Sequence, residues 1–112
     1  MFPQIFQGIS VLDFSRLLPG PFASRLLYKM GAEVTCIVPP SGDPILGEYS
    51  PFPSLREGKK FLTLNLKNPE DLEKVRALIR DSDFLIEGFR PGAMQRLGLG
   101  FEEAIKLRPE IK

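Results

Sequence analysis

Histidine is absent from the 112-residue sequence, and cysteine occurs only once, at Cys36. Without histidine, the Ser-His-Asp and Cys-His catalytic triads and every histidine-based metal site are excluded. A single cysteine inside an apolar run provides neither a disulfide framework nor a cysteine-ligated metal site. We therefore expect no metal, and we expect a reducing compartment, the cytoplasm.

The sequence also lacks an excess of one charge and a long apolar run. It has 15 basic and 14 acidic residues, for a net charge of +1. Nucleic acids and anionic membranes attract clustered positive charge, and a membrane-spanning helix needs about 20 apolar residues. The opening MFPQIFQG has no basic segment followed by a sufficient apolar one, so we expect no signal peptide. The expected partners are small molecules or protein, with no nucleic acid and no membrane.

Four short apolar runs, rich in β-branched residues, predict strands at residues 9–14, 33–38, 61–66 and 83–88. A helical pattern at residues 20–31 separates the first run from the second, and another at residues 68–82 separates the third from the fourth. The first has Pro21 in its opening turn, and its predicted apolar face consists of Phe22, Leu26, Leu27 and Met30. The second has Asn68 as its N-cap, and its apolar stripe consists of Leu72, Val75, Leu78 and Ile79.

Two strand-helix-strand units of this kind predict an α/β, Rossmann-like fold. The sheet is expected to be mostly parallel, with about four strands and flanking helices. One long connection interrupts the alternation, because residues 39–60 are rich in proline and glycine and have no apolar periodicity. It follows a strand's carboxyl end, so it is either a loop at the ligand edge or a mobile excursion.

The common phosphate-binding fingerprints are missing. The segment GLGFEE has Gly98 and Gly100 but Glu103 where the dinucleotide motif requires a third glycine, and no Gly-Lys-Ser/Thr occurs. Asp13, at the end of the first predicted strand, is either a carboxylate at the ligand edge or a cap of the following turn, and the cap is the favoured interpretation.

Four blocks carry a resemblance: GISVLDFSRLLPGPFASRLLYKMGAEV, SGDP, GKKFLTLNLKNPE and DSDFLIEGFRPGAMQRLGLGFEEAIKLRPEI. In order and spacing they resemble the N-terminal part of the family III CoA-transferases, which includes formyl-CoA transferase, the carnitine CoA-transferases and α-methylacyl-CoA racemase. The resemblance implies coenzyme A, or an acyl-CoA thioester, as the bound carrier. The LLPGPFA block favours the racemase-like branch.

The resemblance also implies where coenzyme A binds, at three corners that follow strands. Matched by position, these corners contain Leu17 and Leu18, then Leu64, Asn65, Leu66 and Lys67, then Gly88, Phe89, Arg90 and Arg96. Physical chemistry is compatible with this assignment, because Phe89 can stack and the two arginines, beside a helix expected near Pro91, can donate to phosphate. The alternative interpretation makes the arginines surface charges and Phe89 a core residue.

Two departures from the family pattern limit the functional expectation. Many relatives carry an arginine after the second strand, where this chain has Val38 and Pro39. The family's nucleophilic aspartate would lie beyond Lys112, so residues 1–112 are expected to be a single CoA-binding lobe of a longer enzyme, without catalytic residues. Two other functions stay open: a non-catalytic α/β interaction module and a nucleotide-binding domain.

A lobe of this size is also expected to leave apolar surface uncovered. The side chains expected to be exposed are Phe2, Ile5, Phe6, Leu99, Phe101 and Ile105. We therefore expect self-association or association with a missing C-terminal half.

Overall fold

The structure, a computed structural model, describes residues 2–42 and 52–112. Its strands are β1 (Ser10–Asp13), β2 (Glu33–Val38), β3 (Lys60–Thr63) and β4 (Phe84–Ile86). They form one sheet in the order β3-β2-β1-β4, and every pairing is parallel. Leu12 at the centre pairs with Thr35 on one side and Leu85 on the other. The predicted α/β class with a parallel sheet of about four strands is confirmed.

Helices cover both faces of the sheet. They are α1 (Pro19–Lys29), α2 (Pro69–Arg80), α3 (Ala93–Arg96) and α4 (Phe101–Leu107), together with a 3-10 turn at Pro53–Arg56. Side chains of α1 pack on one face of the sheet, and side chains of α2 and α4 pack on the other. Within the described residues, no helix is both long and apolar enough to span a membrane.

The two-residue period of β1 separates the core into two parts. Leu12 and Phe14 belong to the cluster under α2 and α4, whereas Val11 belongs to the cluster under α1. On α2, Val75 and Ile79 are fully buried and lie four positions apart, so they share one helix face. Full burial of a side chain of this size stabilises the fold by about 1.5 to 3 kcal/mol.

Side-chain contacts explain why β3 ends at Thr63 and not at the predicted residue 66. The backbone N–H of Asn65 donates to Asp71 on α2 at 2.8 Å, and the Asn65 side chain accepts from the N–H of Lys67 at 3.0 Å. These bonds replace a strand ladder with a turn. Asn68 then caps α2 as predicted, accepting from the backbone N–H groups of Glu70 and Asp71.

The long connection between β2 and β3 also differs from the prediction. The predicted segment, residues 39–60, contains the 3-10 turn, and its last residue, Lys60, is already part of β3. Ser54, within that turn, accepts a hydrogen bond from Arg25 of α1 at 2.9 Å, so this end of the connection is fixed to a helix. Residues 43–51, the middle of the predicted loop, lie outside the described residues.

Phe22 does not lie on the packed face of α1, where the sequence pattern places it. It is 52% exposed, while Pro21 and Ser24 are buried. Because each residue turns a helix by about 100°, a face that buries Pro21 and Ser24 directs the intervening Phe22 away from the sheet. The apolar stripe of α1 is consequently only partly used for packing.

The six apolar side chains expected to be exposed divide into three groups. Phe2, Ile5 and Phe101 are exposed, with Ile5 and Phe101 at 67% and 70%. Leu99 is wrongly predicted, because it is 2% exposed and packs in the cluster under α2. Phe6 and Ile105 are half-buried at the margins of the two clusters.

Candidate functional site

A cavity of about 380 Å³ opens at the edge where all four strands end. Because the strands are parallel, the segments that follow their carboxyl ends meet at this edge. The lining consists of Phe14, Arg16, Ile37, Pro39, Pro40, Leu64, Asn65, Leu66, Lys67, Phe89, Arg90, Ala93, Arg96 and Leu97. The segment that follows each of the four strands therefore contributes to one site.

Apolar and basic side chains make up most of the lining. Phe14 and Leu64 are buried, at 1% and 8% exposure, and belong to the core. The lining also includes four cations, Arg16, Lys67, Arg90 and Arg96, and among the described lining residues there is no carboxylate. Such a cavity suits a ligand that has anionic groups attached to an apolar body.

The corner after β3 places Lys67 by backbone geometry. Leu64 N–H donates to the Val38 carbonyl at 3.0 Å, which anchors the start of the corner to β2. Asn68 N–H donates to the Asn65 carbonyl at 2.9 Å and closes the turn. The exposed Lys67 lies within this closed turn, so its backbone is fixed while its ammonium group can move.

The corner after β4 is a second closed turn. Glu87 accepts a hydrogen bond from Phe89 N–H at 2.9 Å, and Ala93 N–H donates to the Arg90 carbonyl at 3.0 Å. Gly92 has a φ of +86° in the left-handed region, so the helix expected near Pro91 begins only at Ala93. Since α3 has four residues, its contribution to the site is mainly the Arg96 side chain.

Arg16 connects the corner after β1 to the corner after β4. Its guanidinium carbon lies 5.2 Å from the centroid of the Phe89 ring, a cation–π contact between neighbouring strand ends. The sequence prediction missed Arg16, although its position three residues beyond β1 places it at the same edge as the other cations. A rule that collects every basic residue following a parallel strand would have found it.

Seven of the ten predicted site residues line the cavity: Leu64, Asn65, Leu66, Lys67, Phe89, Arg90 and Arg96. The other three, Leu17, Leu18 and Gly88, are not among the described lining residues. Leu17 and Leu18 are instead 64% and 45% exposed, and Leu17 has a φ of +66°. Besides Arg16, the prediction missed the apolar contributors Phe14, Ile37, Pro39, Pro40, Ala93 and Leu97.

Asp13 is a turn cap, as the favoured interpretation of the sequence held. It is 1% exposed, and its Oδ1 accepts hydrogen bonds from the backbone N–H of Ser15 at 2.8 Å and from the Ser15 hydroxyl. It is not part of the cavity lining. In residues 2–42 and 52–112, no group of three or more His, Cys, Asp or Glu side chains could hold a metal ion.

Comparison with known proteins gives one consistent result. Residues 6–111 match the family model of CoA-transferase family III. An acetyl-CoA:oxalate CoA-transferase from Acetobacter aceti is 38% identical over 95% of this chain and 29% of its own length. A succinyl-CoA:glutarate CoA-transferase from Homo sapiens is 32% identical over 94% of this chain and 26% of its own length. The chain thus spans less than a third of these curated relatives.

Solved structures show the same fold. A hypothetical protein from Mycobacterium tuberculosis superimposes with a TM-score of 0.89 at 29% identity, over 99% of this chain and 33% of that one. A CAIB/BAIF family protein from Brucella suis gives 0.82 at 26% identity, over 94% and 31%. The arrangement of β1 to β4 with their helices is therefore shared with proteins that are about three times longer.

The turn after β4 gives a first testable prediction. Replacing Gly92 with alanine forces a side chain into the left-handed region and brings its Cβ within 2.9 Å of the Arg96 guanidinium. We expect G92A to lower the free energy of unfolding by about 1 to 2 kcal/mol in urea titrations. Gly88 is the matched control, because its Cβ would meet nothing within 4 Å, and G88A should change stability by less than about 0.5 kcal/mol. Equal stability of G92A and G88A would contradict the role assigned to the left-handed turn.

Proposed function

The chain belongs to CoA-transferase family III, and from this membership we propose that it binds coenzyme A or an acyl-CoA thioester in the cavity at the carboxyl edge of the sheet. The observation that carries the proposal is the combination of four cations with an apolar lining and, among the described lining residues, no carboxylate. Coenzyme A has the same division, because its phosphates are anionic and its pantetheine arm is uncharged.

The lining residues suggest a division of roles. Arg90, Arg96 and Lys67 are the candidates for the phosphates, since guanidinium and ammonium groups form strong charged hydrogen bonds with phosphate oxygens. Phe89, with the planar guanidinium of Arg16 stacked near it, is the candidate surface for adenine. Leu17 and Leu18 follow Arg16 in the chain and would be reached only by a ligand that extends beyond the cavity lining.

Arg16 also bears on the departure at the second strand. In the family pattern that the sequence resembles, an arginine often follows the second strand. In this chain Pro39 stands there, lines the cavity and supplies no charge. Arg16 brings a guanidinium from the neighbouring strand end to the same cavity. We propose that Arg16 compensates for that missing cation.

For the complete activity, we propose that the protein takes part in moving coenzyme A between carboxylic acids. The relatives' names support this, since they describe transfer to oxalate or glutarate. The second candidate is racemisation of an acyl-CoA thioester, which the LLPGPFA block favours. In both cases residues 1–112 form a lobe that positions the carrier, in the cytoplasm, as the single cysteine suggests.

We expect coenzyme A to bind the purified chain, and R96A to weaken binding by about 1.5 to 3 kcal/mol, roughly 10- to 150-fold, in calorimetry. Arg80 is the matched control, because it is an exposed arginine on α2 that does not line the cavity. R80A should leave the affinity within about twofold. Equal affinity of R96A and wild type would remove Arg96 from the site. Binding of NAD or ATP in preference to coenzyme A would favour a nucleotide-binding domain, and binding of none of the three would favour the interaction module.

We also expect the 112-residue chain by itself neither to transfer coenzyme A between acids nor to racemise a 2-methylacyl-CoA. The sequence has no histidine, and none of the described lining residues carries a carboxylate. Catalysis requires reacting groups held in position in addition to a bound carrier. Turnover that persists through repurification would contradict this expectation. The candidate nucleophiles would then be Asp13, Glu87 and Asp43, the last of which lies outside the described residues.

The exposed apolar side chains support a proposal about association. Leu17, Leu18 and Phe22 are exposed in one short stretch at the start of α1, and Phe101 is exposed on α4. We propose that a second copy or a partner chain covers the apolar stretch at the start of α1, because stable monomers rarely expose contiguous apolar patches. Phe101 belongs to a helix on the opposite face of the sheet and would be covered separately. Light scattering over a concentration series should show association. A monodisperse monomer at high concentration that binds no hydrophobic dye would contradict the proposal.

A further inference from the structure

Two buried charges on the α1 side of the sheet have no part in lining the cavity. Asp13 is 1% exposed and Lys59 is 9% exposed. The second carboxylate oxygen of Asp13 has no hydrogen-bond partner among the described residues. Buried charges are costly for a fold unless they are compensated, so their contacts indicate what they hold in place.

Asp13 and Lys59 each fix one end of the corner between β1 and α1. At the start of the corner, Asp13 accepts from the N–H and the hydroxyl of Ser15. At its end, the Lys59 ammonium donates to the carbonyl of Pro21 at 2.9 Å. The residues in between, 16–20, are therefore bounded on both sides by a contact to a buried charge.

The corner itself has a conformation that a free chain would rarely adopt. Leu17 lies in the left-handed region, which a branched, non-glycine residue occupies only where its surroundings hold it there. At Gly20 a Cβ would stand 2.1 Å from the Cβ of Ser15, so the chain passes Ser15 with no room for a side chain. A strained and closely packed corner of this kind requires the fixed ends just described.

The corner delivers one side chain to the cavity. Arg16 directly follows Ser15, lines the cavity, and rests over the Phe89 ring. A long arginine side chain loses much rotational freedom in such a contact. If the backbone of Arg16 is already fixed, less conformational entropy is lost when a ligand binds. Asp13 and Lys59 can thus influence the cavity without lining it, because they fix the backbone that carries Arg16.

We propose that Asp13 and Lys59 are positioning residues of the cavity, which hold the corner from Ser15 to Pro21 so that Arg16 stays over Phe89. Only the identity of the ligand rests on the proposed function.

The pKa of Lys59 is lowered, mainly by burial and also by Arg25, while Cys36 and Asp13 act in the opposite direction without reversing the shift. Lys59 immediately precedes β3, so the same contact ties the β2–β3 connection to the corner.

The test replaces Lys59 by methionine, an unbranched side chain that is one atom shorter and lacks the charge and the hydrogen-bond donor. The first measurement needs no ligand: the Phe89 ring current shifts the NMR signals of the Arg16 δ and ε protons, and Phe89→Leu gives their unshifted positions. We expect K59M to move these signals toward the F89L values and K59R to restore them. The second measurement is coenzyme A affinity, which K59M should weaken about three- to tenfold.

Lys29→Met is the matched control. Lys29 also joins α1 to the segment before β3, through Glu57 at 3.3 Å, but it is the last residue of α1 and lies far along the helix from the corner. K29M should therefore leave both the Arg16 signals and the affinity unchanged. An equal effect of K29M and K59M would overturn the proposal, because it would show a general loosening of α1.

Arg16 signals that stay at their wild-type positions in a folded K59M would also overturn the proposal, whatever the affinity. If wild type binds no coenzyme A but K59M displaces the Arg16 signals, the proposed function fails and the positioning role stands. Should K59M not fold, Ser15→Ala decides by the same signals, since it removes only the hydroxyl contact with Asp13. Arg16 signals in S15A identical to those of wild type would then count against the role of the corner.

Discussion

Parallel pairing of β1 with β2 and β4 is the constraint on which the other features depend. It requires each strand to start from the same side, so the chain must return across the sheet after every strand. The turns that follow the strands then meet at one edge, although residues 16 and 96 are far apart in sequence. Arg16 and Phe89 come into contact for this reason, since β1 and β4 are neighbours in space. The cavity is thus a consequence of topology, and the side chains decide only what it can hold.

The two faces of the sheet contribute to the site in different ways. Under α2 and α4 the packing is apolar, and Val75 and Ile79 fix the helix whose first turn, through Asp71, orders the corner after β3. Under α1 the packing includes buried polar groups, Asp13 and Lys59 among them. Apolar contacts stabilise without direction, whereas hydrogen bonds to a buried charge specify the position of particular backbone atoms. The corner that most needs such specification is the one with Leu17 in a left-handed conformation.

Local sequence signals predicted the elements well, because those signals act over a few residues. Asn68 caps α2 as expected, and the alternation around Leu12 placed β1 correctly to within one residue at each end. Phe22 was predicted on the wrong face of α1. The apolar periodicity of α1 allows either of two neighbouring faces to be buried, and the docking of the helix on the sheet decides which one is. Arg16 was missed for a related reason, since its importance comes from Phe89, a residue that topology alone brings near. The strain at Leu17 has no sequence signature, as leucine has no preference for a positive φ.

The central place of β1 in the sheet has a consequence for synthesis on the ribosome. β1 can pair with β2 once residue 38 has emerged, but its other edge pairs with β4, which ends at Ile86. At about 5 to 20 residues per second, the remaining 48 residues take on the order of 2 to 10 s to make. During that interval the backbone N–H and C=O groups on that edge of β1, between the apolar side chains of Val11 and Leu12, have no strand to pair with. An open edge of this kind pairs readily with other chains, so the nascent protein has a period in which chaperone binding would protect it from aggregation.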